Sequence, residues 1–226
     1  MDGAQATLEV VRTADGSNTL RHTALDEPFH SLHGALQESW HVFIVHGLRA
    51  VDKSRVDVLE VGLGTGLNML LTWLQCVEGK CRVHYTALEP HPLPRPLLGA
   101  LDHCTQCGVP TLAEAWLDAM TAEPGTVTEG YGGFRFTWRH QGVEALQDTG
   151  AFDLVYFDAF APDKQPGLWT REVFSRLFNA LRPGGVLVTY SAKGAVRRDL
   201  QAAGFAVEKL AGPPGKRQML RARRPL

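Results

Sequence analysis

No apolar run in the 226 residues approaches the roughly 18 that a membrane-crossing helix needs. The opening MDGAQATLEVV also lacks the basic-then-apolar pattern of a secretory leader, so a cytoplasmic protein without membrane contact is expected. Net charge is almost absent too, at −1, which argues against a chain that grips nucleic acid by bulk charge alone. Cysteine is scarce: Cys76, Cys81, Cys104 and Cys107 are the whole set. The C-T-Q-C pair beside His103 invites a zinc reading, and the spacing of Cys76 and Cys81 just permits a second knuckle. However, Cys76 ends a helix-like LNMLLTWLQC and Cys81 opens a strand-like segment, positions that free cysteine fills by packing. No metal is expected.

What is present is an ordinary globular balance, with 44% hydrophobic and 21% charged residues. A chain of this length buries roughly 70% of its unfolded surface and needs no covalent staples. Charge is unevenly spread. From Lys193 to Arg224 nine Lys or Arg (Lys193, Arg197, Arg198, Lys209, Lys216, Arg217, Arg221, Arg223, Arg224) face only Asp199 and Glu208, either a solvated basic face or a local phosphate footprint.

Residues 1–50 differ in texture from the rest. TLEVVRT and TLRHT flank a turn around Asp15-Gly16 and read as a hairpin, and HGALQESWHVFIVH reads as a helix from about His33 to His46 stopped by Gly47. Over 51–226, strands VDVLEV, RVHYTALE, FRFTWRH, FDLVYFD and GGVLVTYS alternate with helical segments, which implies βαβ units and a mostly parallel sheet. The last two strands, FAVEKL and KRQMLRARR, have only AGPPG between them and must form an antiparallel edge hairpin. The fold class expected is therefore α/β and Rossmann-like, with a small N-terminal hairpin and helix extension.

Two features carry chemistry. Glu60-Val61-Gly62-Leu63-Gly64-Thr65-Gly66 follows a strand and precedes a helix, so its glycines allow a tight turn and close approach of a ligand to helix N–H groups. The spacing G-x-G-x-G departs from the dinucleotide pattern, since Leu67 holds the third glycine position, and resembles an S-adenosylmethionine loop. The next strand ends on Glu89, where such folds place the carboxylate that binds ribose hydroxyls, and His140-Gln141-Gly142 marks the turn expected at the adenine. The second feature is Asp158, which ends the buried strand FDLVYFD and leads into Ala-Phe-Ala-Pro with no cation beside it in the chain. In an open α/β sheet the glycine loop, Glu60, Glu89 and Asp158 converge at the C-terminal ends of the strands.

The runs EVGLGTGLNMLLTW, FDLVYFDAFAPDKQPGLWT, LRPGGVLVTYSAKGAVRRDLQAAGF and GPPGKRQML, with the N-terminal ES-x-x-VF, resemble the tRNA 5-aminomethyl-2-thiouridine methyltransferases from about Asp15 to Leu220. These comprise the methyltransferase half of bifunctional MnmC and its free-standing MnmD form, and this chain resembles the latter. The resemblance implies methyl transfer from S-adenosyl-L-methionine to the amine of 5-aminomethyl(2-thio)uridine at the tRNA wobble position. It further implies a cofactor set of Gln37, Glu38, Ser39, Glu60, Gly62, Gly64, Gly66, Asn68, Glu89 and Gln141, with Asp158 catalytic. Gln141 departs from the acid expected there. The basic C-terminal third then reads as a tRNA surface, with Lys193, Arg197, Arg198, Lys216 and Arg217 toward phosphates and Phe160, Pro162, Lys164 and Trp169 walling the base. A monomer coupled to a separate tRNA-modifying oxidoreductase is expected. The rival readings are a small-molecule amine methyltransferase, an aminopropyltransferase and a nucleotide-binding regulatory module. An aminopropyltransferase would want two spaced aspartates where DAFAP has one, and a regulatory module need not keep Asp158.

Overall fold

A computed structural model describes residues 7–226. Strands β1 (Leu8–Arg12), β2 (Asn18–His22) and β3 (Glu27–Pro28) form a small antiparallel sheet, closed by the turn at Asp15-Gly16. It docks on the main body through Asn18, whose backbone N–H donates to Gln106 Oε1 at 3.0 Å and whose side-chain amide donates to the Leu101 carbonyl at 3.1 Å.

Helix α1 (Ala35–Ser39) follows, and here the expected single helix from His33 to His46 is interrupted. The segment Trp40–Val45 widens into a π-helical turn, closed by the His46 N–H on the His41 carbonyl. The reason lies in burial: Val42, Phe43 and Ile44 are consecutive and all buried. An α-helix turns three successive residues through most of its circumference, so both sides of this segment must be covered, and widening the turn redirects the side chains. Val42 and Phe43 join the main core while Ile44 packs with Leu67 and Leu71.

The central sheet is built from β4 (Arg55–Val61), β5 (Arg82–Leu88), β6 (Thr128–Glu129), β7 (Phe134–Arg139), β8 (Phe152–Phe157), β9 (Leu181–Thr189), β10 (Ala206–Ala211) and β11 (Gln218–Arg223), ordered β10-β11-β9-β8-β4-β5-β7-β6. The pairings from β7 through β5, β4 and β8 to β9 are all parallel. The C-terminal strands pair antiparallel with each other, β11 also runs antiparallel to β9, and β10 is the outer edge. Strand β6, an antiparallel addition at the opposite edge, has too few residues to leave a pattern in the sequence. Helices α2 (Leu67–Val77), α3 (Arg95–Leu101), α4 (His103–Gln106), α5 (Ala113–Met120), α6 (Arg171–Ala180) and α7 (Gly194–Ala202) cover both faces.

Side-chain alternation sorts the strands between two cores. Val58 of β4 and Tyr156 of β8 enter one with Met69 and Trp73 of α2, whereas Leu59, Val155 and Phe157 enter the other with Phe174 and Leu177 of α6. All six residues of β8 are buried, so FDLVYF shows no alternation: a parallel strand covered on both faces has no wet side. Among the described residues, no helix is long and apolar enough to cross a membrane.

Candidate active site

Parallel strands β4, β5 and β8 end together, and their C-terminal loops surround a crevice of about 640 Å³. Its lining includes Gly62, Gly64 and Thr65 after β4, Glu89 after β5 and Asp158 after β8. The three loop glycines serve different ends. Gly62 has φ 86° and would place a Cβ 2.8 Å from the Asp158 carbonyl oxygen, so its bareness lets the two loops close together. Gly64, at φ 49°, faces the crevice with Phe29 3.2 Å from a would-be Cβ. Gly66 does not line the crevice at all: a Cβ there would meet the Met120 sulfur at 2.5 Å, so α5 packing fixes it.

Glu89 is buried and tied to both neighbouring loops. Its Oε2 accepts the Gly64 N–H at 2.9 Å and its Oε1 accepts the His91 N–H at 2.8 Å. Each carboxylate oxygen keeps a further lone pair for a ligand hydroxyl.

Asp158 is half-buried and rests on Asn68, whose amide nitrogen donates to Asp158 Oδ2 at 2.8 Å and to Glu60 Oε1 at 2.9 Å. Desolvation, followed by the charge of Glu38, pushes the Asp158 carboxyl up to about 7, against the lowering effects of Asn68 and Lys216. Glu60 beneath it is fully buried, and desolvation lifts its pKa well above the ordinary carboxylate range. Glu60 and Asn68 thus lie under the floor of the crevice rather than in its lining.

A cation does stand close to Asp158, but it comes from a distant part of the chain. Lys216, in the loop between β10 and β11, pairs with Glu38 of α1 and places its ammonium 3.9 Å from the centre of the Tyr190 ring. Glu38, itself buried, also accepts the Ser31 N–H at 2.7 Å, and the Tyr190 hydroxyl donates to the Ala159 carbonyl at 2.9 Å. Lys216 is therefore an internal counterion to Glu38. Beyond it opens a groove of about 740 Å³ lined by Pro162, Tyr190, Lys193, Lys216 and Arg217. Arg197 and Arg198, exposed on α7, and exposed Arg217 make no ion pair among the described residues, while Lys193 pairs with Asp163.

Several expectations need correction. Trp169 is 5% exposed, donates its indole N–H to the Phe160 carbonyl at 2.8 Å and packs edge-on against Phe157 and Phe174, so it is core and no stacking platform. Lys164 donates to the Leu25 carbonyl at 2.7 Å, fastening the loop after β8 to the N-terminal sheet. Gln37 is exposed, its side chain makes no hydrogen bond among the described residues, and its backbone N–H donates to Asp15. Ser39 is buried with its hydroxyl unpartnered, away from the crevice lining. Gln141 is likewise outside the lining, which instead takes Gly142, Val143 and Glu144 of the same turn. Sequence reasoning missed Glu144, one turn of chain too early. It also missed the roof, where Leu8, His22, Leu25, Phe29 and His30 of the N-terminal extension close over the crevice. Phe160 meets Phe29 edge-on at 4.8 Å and His22 at 6.1 Å, and desolvation lowers His30 to about 4, leaving it a neutral wall residue. No local signal reports those contacts, because they join residues over a hundred positions apart.

A model of the S-adenosyl-L-methionine-dependent methyltransferase family matches residues 140–225. The tRNA 5-methylaminomethyl-2-thiouridine biosynthesis bifunctional protein MnmC of Ralstonia nicotianae is 37% identical over 205 residues, covering 86% of this chain and 31% of that protein. The protein of the same name from Burkholderia multivorans is 34% identical over 218 residues, 89% of this chain and 33% of the relative. This chain thus spans about a third of the length of those relatives. Among solved structures, MnmC2 from Aquifex aeolicus superposes with a TM-score of 0.75 at 26% identity, over 98% of this chain and 72% of that one. Spermidine synthase from Thermotoga maritima, at TM-score 0.57 and 13% identity, shares the fold alone.

The crevice fits the cofactor of that family: its volume lies in the range of small-molecule sites, Thr65 Oγ1 is buried in its wall without a partner, and Glu89 holds spare acceptor capacity beside a bare Gly64. A model of the S-adenosyl-L-methionine-dependent methyltransferases thus matches the C-terminal part of this chain, and most of the chain is similar to about a third of the MnmC proteins and, in fold, to MnmC2.

Proposed function

We propose that this protein methylates the primary amine of 5-aminomethyl(2-thio)uridine at the wobble position of tRNA, giving 5-methylaminomethyl(2-thio)uridine. The observation that carries the reading is the position of Asp158, which lines the crevice and lies within electrostatic reach of Lys216 and Tyr190, residues of the neighbouring groove that Arg217 and Lys193 also line. S-adenosyl-L-methionine supplies an electrophilic methyl group when bound. Gly62, Gly64, Thr65 and Glu89 would hold it, and Glu144 with the Gly142 backbone lines the same crevice.

An alkyl amine is protonated at neutral pH and has no lone pair in that form, since its pKa is about 10.4 when unperturbed. Asp158 first orients the ammonium by charge, and the approaching cation favours the carboxylate form of the acid. Removing the proton against a carboxyl near 7 costs about 4.6 kcal/mol for an unperturbed amine. Desolvation between Phe160 and Phe29 narrows that gap by disfavouring the ammonium. Positioning remains the larger contribution, because correctly held reactants gain on the order of 7 kcal/mol or more at best.

The RNA enters along the open groove. Arg217, Arg197 and Arg198 meet phosphates, and Phe160 with Pro162 edges the extruded base. With a net charge of −1 affinity is modest, and it is salt-dependent through the phosphates that the local arginines neutralise. The same reading places the protein in the cytoplasm as a monomer, handing its product to or receiving its substrate from a separate oxidoreductase. It divides the chain into a 1–50 extension and a 51–226 methyltransferase domain. The test is incubation with labelled S-adenosyl-L-methionine and tRNA from cells that lack the activity, followed by nucleoside mass analysis. A wobble uridine heavier by one methyl is expected. Label appearing only in small amines would sink the reading.

A further inference from the structure

One nitrogen joins two carboxylates under the crevice floor. Asn68, the second residue of α2, spends both amide hydrogens on acids from neighbouring parallel strands: Glu60 Oε1 at 2.9 Å and Asp158 Oδ2 at 2.8 Å. The amide orientation follows from Asp158, since the flipped rotamer would set its oxygen against that carboxylate. Asn68 is 3% exposed and Glu60 0% exposed, and neither lines the crevice, so neither reaches a bound cofactor.

Glu60 cannot be an ordinary anion in this place. Its close hydrogen bond comes from Asn68 alone, its Oε2 has no partner within bonding distance, the Asn68 oxygen has none, and the neighbouring Tyr85 hydroxyl, though near enough to favour the anion, does not offset the desolvation. A buried carboxylate with one donor, sharing that donor with a second carboxylate, is far cheaper as the neutral acid. The strong upward displacement of its titration, caused first by desolvation, agrees. Asp158 meets Glu60 through Asn68 from β4, Tyr85 from β5, Glu38 from α1, and Lys216 and Tyr190 from the C-terminal side. Of these neighbours, only Asn68 makes a hydrogen bond to its carboxylate.

We propose that Asn68 is a positioning residue for methyl transfer: anchored on Glu60 below, its shared amide fixes the Asp158 carboxylate toward the incoming amine and favours its charged form. Glu60 is the anchor and carries a proton at neutral pH. Loss of Asn68 then leaves Asp158 both loose and harder to ionise. This rests on Asp158 being the amine-facing acid, so the test includes a readout that needs no RNA.

The experiment follows the carboxyl carbon-13 resonances of Asp158 and Glu60 across pH, with S-adenosylhomocysteine bound. In the unaltered protein Glu60 stays in the protonated range at pH 7; an ionised Glu60 there overturns the proposal. Asn68→Ala raises the Asp158 midpoint by roughly one pH unit, and the acid limb of kcat/KM moves with it, while S-adenosylhomocysteine binds within about twofold of its former affinity by calorimetry. An unmoved midpoint overturns the proposal, and a cofactor affinity weakened tenfold with the midpoint in place makes Asn68 a cofactor ligand instead. A shifted midpoint in a protein that turns over no tRNA leaves the Asn68 bridge standing and rejects the substrate reading alone. Where Asn68→Ala fails to fold, the Glu60 resonance of the unaltered protein still decides.

Discussion

The Gly62 Cα lies so close to the strand end carrying Asp158 that a Cβ on it would stand 2.8 Å from the Asp158 carbonyl oxygen. The cofactor loop and the acid are thereby one rigid unit. Gly62→Ala must move backbone and also hold an alanine at φ 86°, which costs about 1–3 kcal/mol. A lower melting temperature and weakened S-adenosylhomocysteine binding are expected together, by calorimetry.

Asp158→Asn tests the acid directly. Methyl transfer falls by about 10²–10⁴-fold, while cofactor affinity is retained because Glu89 and the loop are untouched. In the unaltered protein kcat/KM rises with pH through about 7, as the Asp158 carboxyl ionises, and the variant loses that limb.

Stability should move the other way. The folded-state value of about 7 lies above the reference 3.8, so the native protein holds the proton more tightly across that window. The contribution from the neutral acid is complete below pH 3.8 and is lost as pH rises toward 7. Asp158→Asn removes the loss, and for a half-buried group the variant gains roughly 1–2 kcal/mol at pH 8 and nothing near pH 3.5. Denaturant unfolding at the two pH values measures it.

Lys216 and Arg217 are adjacent in sequence and should behave differently. Lys216→Ala strands buried Glu38 without its counterion, lowering stability by about 1–2 kcal/mol, and raises the Asp158 titration because a nearby cation is lost. Arg217→Ala leaves stability alone but reduces the salt slope of tRNA binding by roughly 0.7–0.9. Unfolding curves and filter binding across a salt series separate them.

Trp169→Ala opens a cavity among Phe157, Phe174 and Tyr190 and costs about 3–5 kcal/mol. A merely weakened tRNA affinity with an unchanged melting temperature would restore the base-walling role expected from sequence.

Much of the fold is legible locally. Glycine spacing between a strand and a helix, the unbroken apolar run of β8 and the short AGPPG connection each force a backbone outcome, because turn sterics, two-sided burial and loop length act over a few residues. Glu89 and Asp158 are legible for the same reason: in a parallel sheet the C-terminal end of a strand is where a ligand meets it. The break at Trp40 is not, since it answers to cores on both sides of one segment.

The sequence by itself determined a parallel α/β sheet, a glycine-lined nucleoside loop and an acid at the end of β8. Only the tertiary structure decided what surrounds that acid. Asn68 and Glu60 reach it from beneath, Lys216 arrives paired to Glu38 from opposite ends of the chain, and Phe29 roofs the crevice from the N-terminal extension. Those contacts set its charge and its dryness, and both depend on distances that chain order does not encode. Asp158, a lone carboxylate in the linear sequence, is in the folded protein the centre of an electrostatic neighbourhood assembled from five separate segments.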